Sequence, residues 1–170
     1  MTQDLDFEKL VKLHYQALYR FAFSLTRNQS DAADLTQQSF YILARNAAQL
    51  RDANKAKSWL FTTLHREFLG RRRKMIRFPE TDHTQAEAEL PTVPPRLESA
   101  DAPAVLEALA KVDPNFQAAV SLFYLEDYSY PEIAQILDTP LGTVKSRIAR
   151  GILQLQKLLV EAAPHSGRSL

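Results

Sequence analysis

The sequence predicts an all-α protein of two small helical domains joined by a flexible, acidic, proline-rich linker. Three observations lead there. Apolar residues recur at three- and four-residue spacing through most of the 170 residues, while the alternation expected of strands is almost absent. Between Pro79 and Pro103 the helical pattern stops, and the stretch holds five prolines and six acids against a single basic residue, Arg96. Such a segment has little to bury and repels itself. Charge is also segregated behind a net value of only +1: residues 51–77 carry nine Lys/Arg and two acids, and residues 78–113 carry eight acids and two Lys/Arg. The division that follows is a helical domain over 1–78, a linker over 79–103, a second helical domain over 104–162 and a tail over 163–170.

The elements can be read in order. A first helix spans Asp6 to Arg27, with Leu10, Leu13, Ala17, Phe21 and Leu25 on one face and Leu18 and Ala22 beside them. Asn28, Gln29 and Ser30 interrupt it. Ser30 is placed to cap a second helix, whose first turn holds Asp31 and Asp34 at the positive end of the dipole. That helix continues through Leu35, Phe40, Leu43 and Ala47. A polar loop from Arg51 to Asn54 precedes a third helix, in which Trp59, Leu60, Leu64 and Phe68 recur at helical spacing before a basic run, Arg71 to Lys74. Beyond the linker, a helix runs from near Asp101 to Lys111. Asp113 and Pro114 supply a cap and a first-turn proline for the next, which carries Phe116, Ala119, Val120, Phe123 and Tyr124. Ser129 and Glu132 have capping-box spacing at the head of a short helix with Ile133, Ala134, Ile136 and Leu137. Asp138 breaks that helix, and Thr139 and Pro140 start a last one from Leu141 to Val160.

The composition excludes several classes. With no cysteine, disulfides, thiolate metal sites and cysteine nucleophiles are absent, which accords with a reducing cytoplasm. The acidic start, Met1 to Asp6, has no signal-peptide pattern. The longest apolar run, Ala118 to Leu125, falls far short of the roughly 20 residues that span a bilayer. The chain therefore reads as cytoplasmic, without membrane insertion. His14, His65, His83 and His165 are scattered and form no metal-ligand motif, and four glycines make no phosphate-binding loop. The expectation is a protein that is not an enzyme and needs no cofactor.

Tyr130 to Leu153 carries the strongest signal. A short helix, a tight turn and a longer helix follow one another, with small Ala134 at the expected crossing and Val144 ten residues later. This is helix-turn-helix spacing, and the second helix of such a unit enters the major groove of DNA. Its outer face holds Thr143, Lys145, Ser146, Arg147 and Arg150, long or hydroxylated side chains suited to phosphates and base edges. A plain helical hairpin with a solvated basic face leaves the agreement of capping box, small crossing residue and basic helix without a cause.

At these residues the chain resembles a known family. Tyr130-Pro131-Glu132-Ile133-Ala134 and Pro140-Leu141-Gly142-Thr143-Val144-Lys145-Ser146-Arg147 look like region four of bacterial sigma factors. The stretch Asp31 to Phe40, reading DAADLTQQSF, resembles region two, and Ser58-Trp59-Leu60 before a basic helix resembles the promoter-melting segment. Two such regions joined by a short linker are similar to the extracytoplasmic-function (ECF) branch of the sigma-70 family, over about residues 10–160.

The resemblance implies partners and roles. Core RNA polymerase would dock on Asp31, Asp34, Leu35, Gln37, Gln38 and Phe40. The −10 element of promoter DNA would meet Arg51, Asn54, Lys55, Lys57, Arg66, Arg71, Arg72 and Arg73. The −35 element would meet Thr143, Lys145, Ser146, Arg147 and Arg150. Members of this branch are commonly restrained by an anti-sigma factor. Trp59 has two readings, core packing and stacking at the DNA fork. His65-Arg66-Glu67 departs from the Arg-Asn often found at that point in the family, which bears on −10 recognition. The linker resembles the segment that threads toward the polymerase active centre, and equally suits a plain tether. Attraction between the acidic stretch and the basic segment 51–77 would instead fold the two domains together. A stand-alone helix-turn-helix regulator is the competing function, but it leaves the basic helix of the N-terminal half unexplained, as does a helical adaptor that binds only proteins.

Overall fold

A computed structural model describes residues 6–50, 52–75 and 102–162, and every regular element among them is helical. The linker expected over 79–103 and the tail over 163–170 lie outside the described residues, apart from Ala102 and Pro103, which already belong to a helix.

Local hydrogen bonding sets the helix ends. Helix α1, Phe7–Thr26, starts where the Asp6 carboxylate accepts the amide of Lys9, and stops at Arg27 in the left-handed conformation, φ 57°. Helix α2, Gln29–Arg45, is capped by Asn28, whose side chain accepts the amide of Asp31. Asn28 therefore takes the role expected of Ser30, because the chain reverses at Arg27 and the helix resumes one residue after the asparagine. Helix α3, Ala56–Met75, follows a short turn closed by Asp52. These three helices form the N-terminal half. Phe21 of α1 and Phe61 of α3 meet edge to face at 5.3 Å, both inaccessible to solvent. Phe61 was not among the expected apolar positions of α3. Leu13, expected in the core, is instead 62% exposed.

The C-terminal half contains α4 (Ala102–Lys111), α5 (Pro114–Glu126), α6 (Tyr130–Leu137) and α7 (Leu141–Ala162). Asp113 caps α5 with Pro114 in its first turn, and the Ser129–Glu132 capping box of α6 is complete in both directions. Buried Gln117 donates to the carbonyls of Leu109 and Ala110 at 3.3 and 2.9 Å, satisfying the end of α4. The core of α5 is Ala119, Val120 and Leu122, while Phe116, Phe123 and Tyr124 are half-buried around it. Helices α5 and α7 cross tightly at Gly151 of α7. A Cβ there would lie 2.1 Å from Val120 Cγ2 and 3.0 Å from Phe116 Cβ, so only glycine lets α5 and α7 approach this far.

The two halves pack face to face. Helix α1 lies against α4 and α5, and α3 against α6. Ser121 Oγ donates to Ser24 Oγ at 2.8 Å with both residues fully buried, and Arg27 donates to the carbonyl of Val112 at 3.1 Å. Phe61 meets Tyr128 edge to face at 5.8 Å across the same seam. One continuous cluster of buried apolar side chains runs through both halves.

Candidate nucleic-acid and polymerase interfaces

The helix-turn-helix is built from α6 and α7. Asp138 ends α6 in the left-handed conformation, φ 50°, and the Thr139 amide returns to the carbonyl of Ala134 at 3.0 Å. Val144, Ile148, Ala149, Ile152 and Leu155 are buried, which fixes the rotation of α7 about its axis. The opposite side presents half-buried Thr143, Ser146, Arg147 and Arg150, and Lys145 is exposed near the start of the helix. Ser146 Oγ donates to the carbonyl of Thr143 at 3.1 Å, so its hydroxyl is partly engaged within the helix. Thr143, Ser146, Arg147 and Arg150 thus share one side of α7, whereas Lys145 lies in line with buried Ala149 and Ile152, four and seven residues on, at the uncovered start of the helix.

The basic surface of the N-terminal half is split. Asn54 and Lys55 are exposed in the turn before α3, and Arg66, Arg71 and Arg73 are exposed along it, with Arg72 half-buried. Arg51 lies outside the described residues. Lys57 faces inward, its Nζ 3.1 Å from a Glu126 carboxylate oxygen and 5.7 Å from the centre of the Tyr128 ring. Trp59 is half-buried and lines a cleft of about 470 Å³ with Ile42, Asn46, Gln49, Thr62, Thr63, Arg66 and Glu67. The tryptophan thus borders both core and cleft. Asn46, Gln49, Thr62 and Thr63 offer hydrogen-bonding groups beside an aromatic plane, a combination suited to a planar heterocycle. Their separation along the sequence hid them from motif reading.

His65, one residue before Arg66, lies within electrostatic reach of Arg147 in the C-terminal half. Burial, with the Arg147 and Arg66 guanidiniums nearby, holds its imidazole down to about 4, so it is neutral at ordinary pH. Burial and Lys57 likewise lower His14. In Tyr128, burial raises the phenol against the opposing pull of Ser58 and Lys57.

On α2 the expected docking residues divide. Asp31, Asp34 and Gln37 are exposed and Gln38 is half-buried, so four share a solvent-facing strip. Leu35 and Phe40 are 1% and 5% exposed and belong to the core, where Phe40 stacks on Tyr15 and meets Phe7 edge-on. They cannot be surface contacts, because positions 35 and 40 fall on the side of α2 that α1 covers. Tyr41, 56% exposed and with the Arg45 guanidinium 5.8 Å from its ring centre, continues the strip instead.

Comparison with known proteins agrees with this geometry. Residues 10–77 match the Sigma-70 region 2 family and residues 103–155 match Sigma-70, region 4. The chain is 36% identical over 168 residues to the ECF RNA polymerase sigma factor SigE of Mycolicibacterium smegmatis, covering 95% of this chain and 65% of that one. It thus spans slightly less than two thirds of that relative. It is 30% identical to the ECF sigma factor SigM of Mycobacterium tuberculosis, covering 90% of this chain and 76% of the relative. Among solved structures, the sigma factor RpoE in complex with the anti-sigma factor NepR from Bartonella quintana superposes with a TM-score of 0.70 at 28% identity, covering 93% of this chain and 99% of that one. Among the described residues, no helix is long and apolar enough to cross a membrane. Two regions in the right order, a helix-turn-helix with its basic face outward and relatives of this kind lead to one conclusion: the chain belongs to the ECF branch of the sigma-70 family, the factors that direct RNA polymerase to promoters.

Proposed function

We propose that each surface has one partner. The exposed strip Asp31, Asp34, Gln37, Gln38 and Tyr41 of α2 docks on core RNA polymerase. Lys145, Arg147 and Arg150 of α7, with Thr143 and Ser146, recognise the −35 element. Asn54, Lys55, Arg66, Arg71, Arg72 and Arg73, joined by Lys57 when it is released, receive the −10 element, and the cleft beside Trp59 accepts an unpaired base. The observation that carries this reading is the presence of two separate basic helices on two differently built halves. A stand-alone regulator reads DNA through its helix-turn-helix and has no use for the second. The protein contributes binding and strand separation, and phosphodiester chemistry remains with the polymerase.

An anti-sigma factor is the further partner we propose. Its support is the likeness to RpoE of Bartonella quintana, a sigma factor solved together with NepR. Run-off transcription with purified core polymerase on a genomic fragment library tests the main reading. Discrete transcripts that require both core and this chain are expected. Equal and tight promoter binding by the chain alone and with core would instead favour the regulator.

A further inference from the structure

Helix α3 carries six lysines and arginines and a single acid, Glu67. A carboxylate among cations that are to meet phosphates works against binding, because it repels the polyanion and lowers the local positive potential. The ordinary reason for such an acid is an ion pair along the helix, and Arg71 lies four residues on, at the favourable spacing. That pair is not made. Among the described residues Glu67 has neither an ion pair nor a side-chain hydrogen bond. It is half-buried, and it lines the cleft beside Trp59.

The cleft is assembled from one stripe of α3 and the end of α2. Trp59, Thr62, Thr63, Arg66 and Glu67 recur at three- and four-residue intervals, so they share one side of the helix. Helical side chains lean toward the helix N-terminus, which brings Arg66 and Glu67 back along the threonines toward the indole. A planar base laid on the indole would have its edge met by those two side chains. Across the cleft, Asn46 donates from Nδ2 to the carbonyl of Ile42 at 2.9 Å. This bond orients the amide and leaves Oδ1 as a further acceptor. The cleft therefore joins a wall of acceptors, Glu67 and Asn46 Oδ1, to one strong donor, Arg66.

An unpaired base is read on the edge that pairing would have covered. There adenine offers one donor beside an acceptor nitrogen, cytosine one donor and two acceptors, and thymine one donor between two carbonyls. Guanine alone offers two neighbouring donors, N1–H and the N2 amino group, with the acceptor O6 beside them. The two carboxylate oxygens match the two donors, and the guanidinium matches O6. Any other base sets a carboxylate oxygen against an acceptor or leaves it without a donor, at the cost of an unsatisfied group.

We propose that Glu67, with Arg66, makes this cleft selective for an unpaired guanine of the opened −10 element. The proposal rests on the promoter-binding reading above and adds to it the identity of the base. Both residues lie in the His65-Arg66-Glu67 stretch that departs from the family pattern, so the selectivity belongs to this chain.

The test uses the full chain with core polymerase and one promoter recovered by run-off transcription, its −10 element held open as a mismatched bubble. Each base is placed in turn at each unpaired position of either strand, and the stability of the complex is read by competition. At one position guanine should be preferred over every other base by about tenfold or more. Inosine at that position, which lacks only the N2 amino group, should lose about fivefold. Glu67→Gln offers one acceptor where the carboxylate offers two, so it should hold guanine and inosine alike. Arg71→Gln removes a charge from the same helix and should weaken all four bases equally, with the preference intact. No guanine preference at any position, or one that Glu67→Gln leaves unchanged, overturns the proposal. Should Glu67→Gln not fold, the unsubstituted protein decides, since equal stability with guanine and inosine also overturns it. A holoenzyme that binds no opened promoter removes the promoter-binding reading itself, whereas one that binds all four bases equally removes only the guanine assignment.

Discussion

The two basic helices of this protein hold their cations in different ways. Helix α7 is amphipathic along its length. Val144, Ile148, Ile152 and Leu155 are buried at three- and four-residue intervals, and Lys145, Arg147 and Arg150 lie between them. Each cation is oriented by the packed residues on either side of it. Helix α3 is divided: Leu60, Phe61 and Leu64 are fully buried in its first half, and Arg71, Arg73 and Lys74 are exposed near its end. Among the described residues no carboxylate pairs with these last three. A helix whose DNA-facing stretch is packed presents its side chains in fixed positions suited to base edges, whereas a basic helix end beyond the packed core tracks a phosphate backbone whatever its sequence. Under the proposed function, the contrast suits α7 to reading DNA and the end of α3 to holding it.

The largest expected effect tests the anchor of α3. Phe61 is fully buried and touches both Phe21 and Tyr128. Phe61→Ala should destabilise the protein by about 3–5 kcal/mol, through the lost transfer energy and the cavity left behind. Denaturant titration measures this, and a loss under 1 kcal/mol would mean that α3 is not anchored at this ring.

Next is pH. The His65 imidazole is lowered from 6.5 to about 4 in the folded protein by burial first, then by Arg147 and Arg66. The unfolded chain thus takes up a proton at higher pH than the native one. Stability from this group is complete above pH 6.5, falls as pH drops toward 4, and falls no further below it. The decline is expected to reach a few kcal/mol. His65→Gln should flatten the stability profile in that window, and an identical slope in both proteins would show that the imidazole does not titrate against the fold. His14, lowered in the same direction, adds a background slope that both proteins share.

On the other helix, Gly151→Ala should cost about 1–3 kcal/mol, because its methyl group collides with Val120 and α5 must shift. A thermal melt reports it, and an unchanged midpoint would place the tight crossing elsewhere. For DNA, Arg147→Ala should cost about 1–3 kcal/mol at a single base position if the guanidinium reads a base edge. Arg73→Ala should instead weaken all sequences alike and reduce the salt slope by roughly 0.9. Salt-dependent binding of each variant with core polymerase, on matched and mutated promoters, distinguishes them. Interchanged behaviour would reverse the assignment of reader and holder. Smallest is the change expected from Asp34→Ala with Gln37→Ala, a several-fold loss of core-polymerase affinity and no change in DNA contacts of α7. Wild-type association in co-purification would remove this strip from the docking surface.

Much of this could be read from the sequence because it depends on short-range chemistry. Asp113 before Pro114, Ser129 three residues before Glu132, and Asp138 at a left-handed position each act within one helical turn, and each forms in the structure as spacing demanded. The apolar repeat of α7 fixed which of its sides is left uncovered, so four of the five expected residues, Thr143, Ser146, Arg147 and Arg150, are found together, and Lys145 lies apart near the helix start. The motifs of regions two and four are likewise local strings, and they were enough to identify the family.

Other features needed the fold. Leu35 and Phe40 share a motif with Asp34 and Gln37, yet they are buried because α1 lies on that side of α2. Leu13 keeps the period of α1 and is exposed, since no neighbouring helix reaches it far enough to cover it. Glu126 reads as an unremarkable acid at a helix end until α1 and α3 bring Arg20 and Lys57 to it. Gly151 looks like a weakness in a helix until α5 is seen against it. The sequence by itself determined where helices begin and end and which families of contact they can make, because caps and periodicity act over a few residues. Only the tertiary structure decided which side chains are covered and which charges meet, because that depends on partners up to about a hundred positions away, such as Ser24 and Ser121, separated by 97 in sequence.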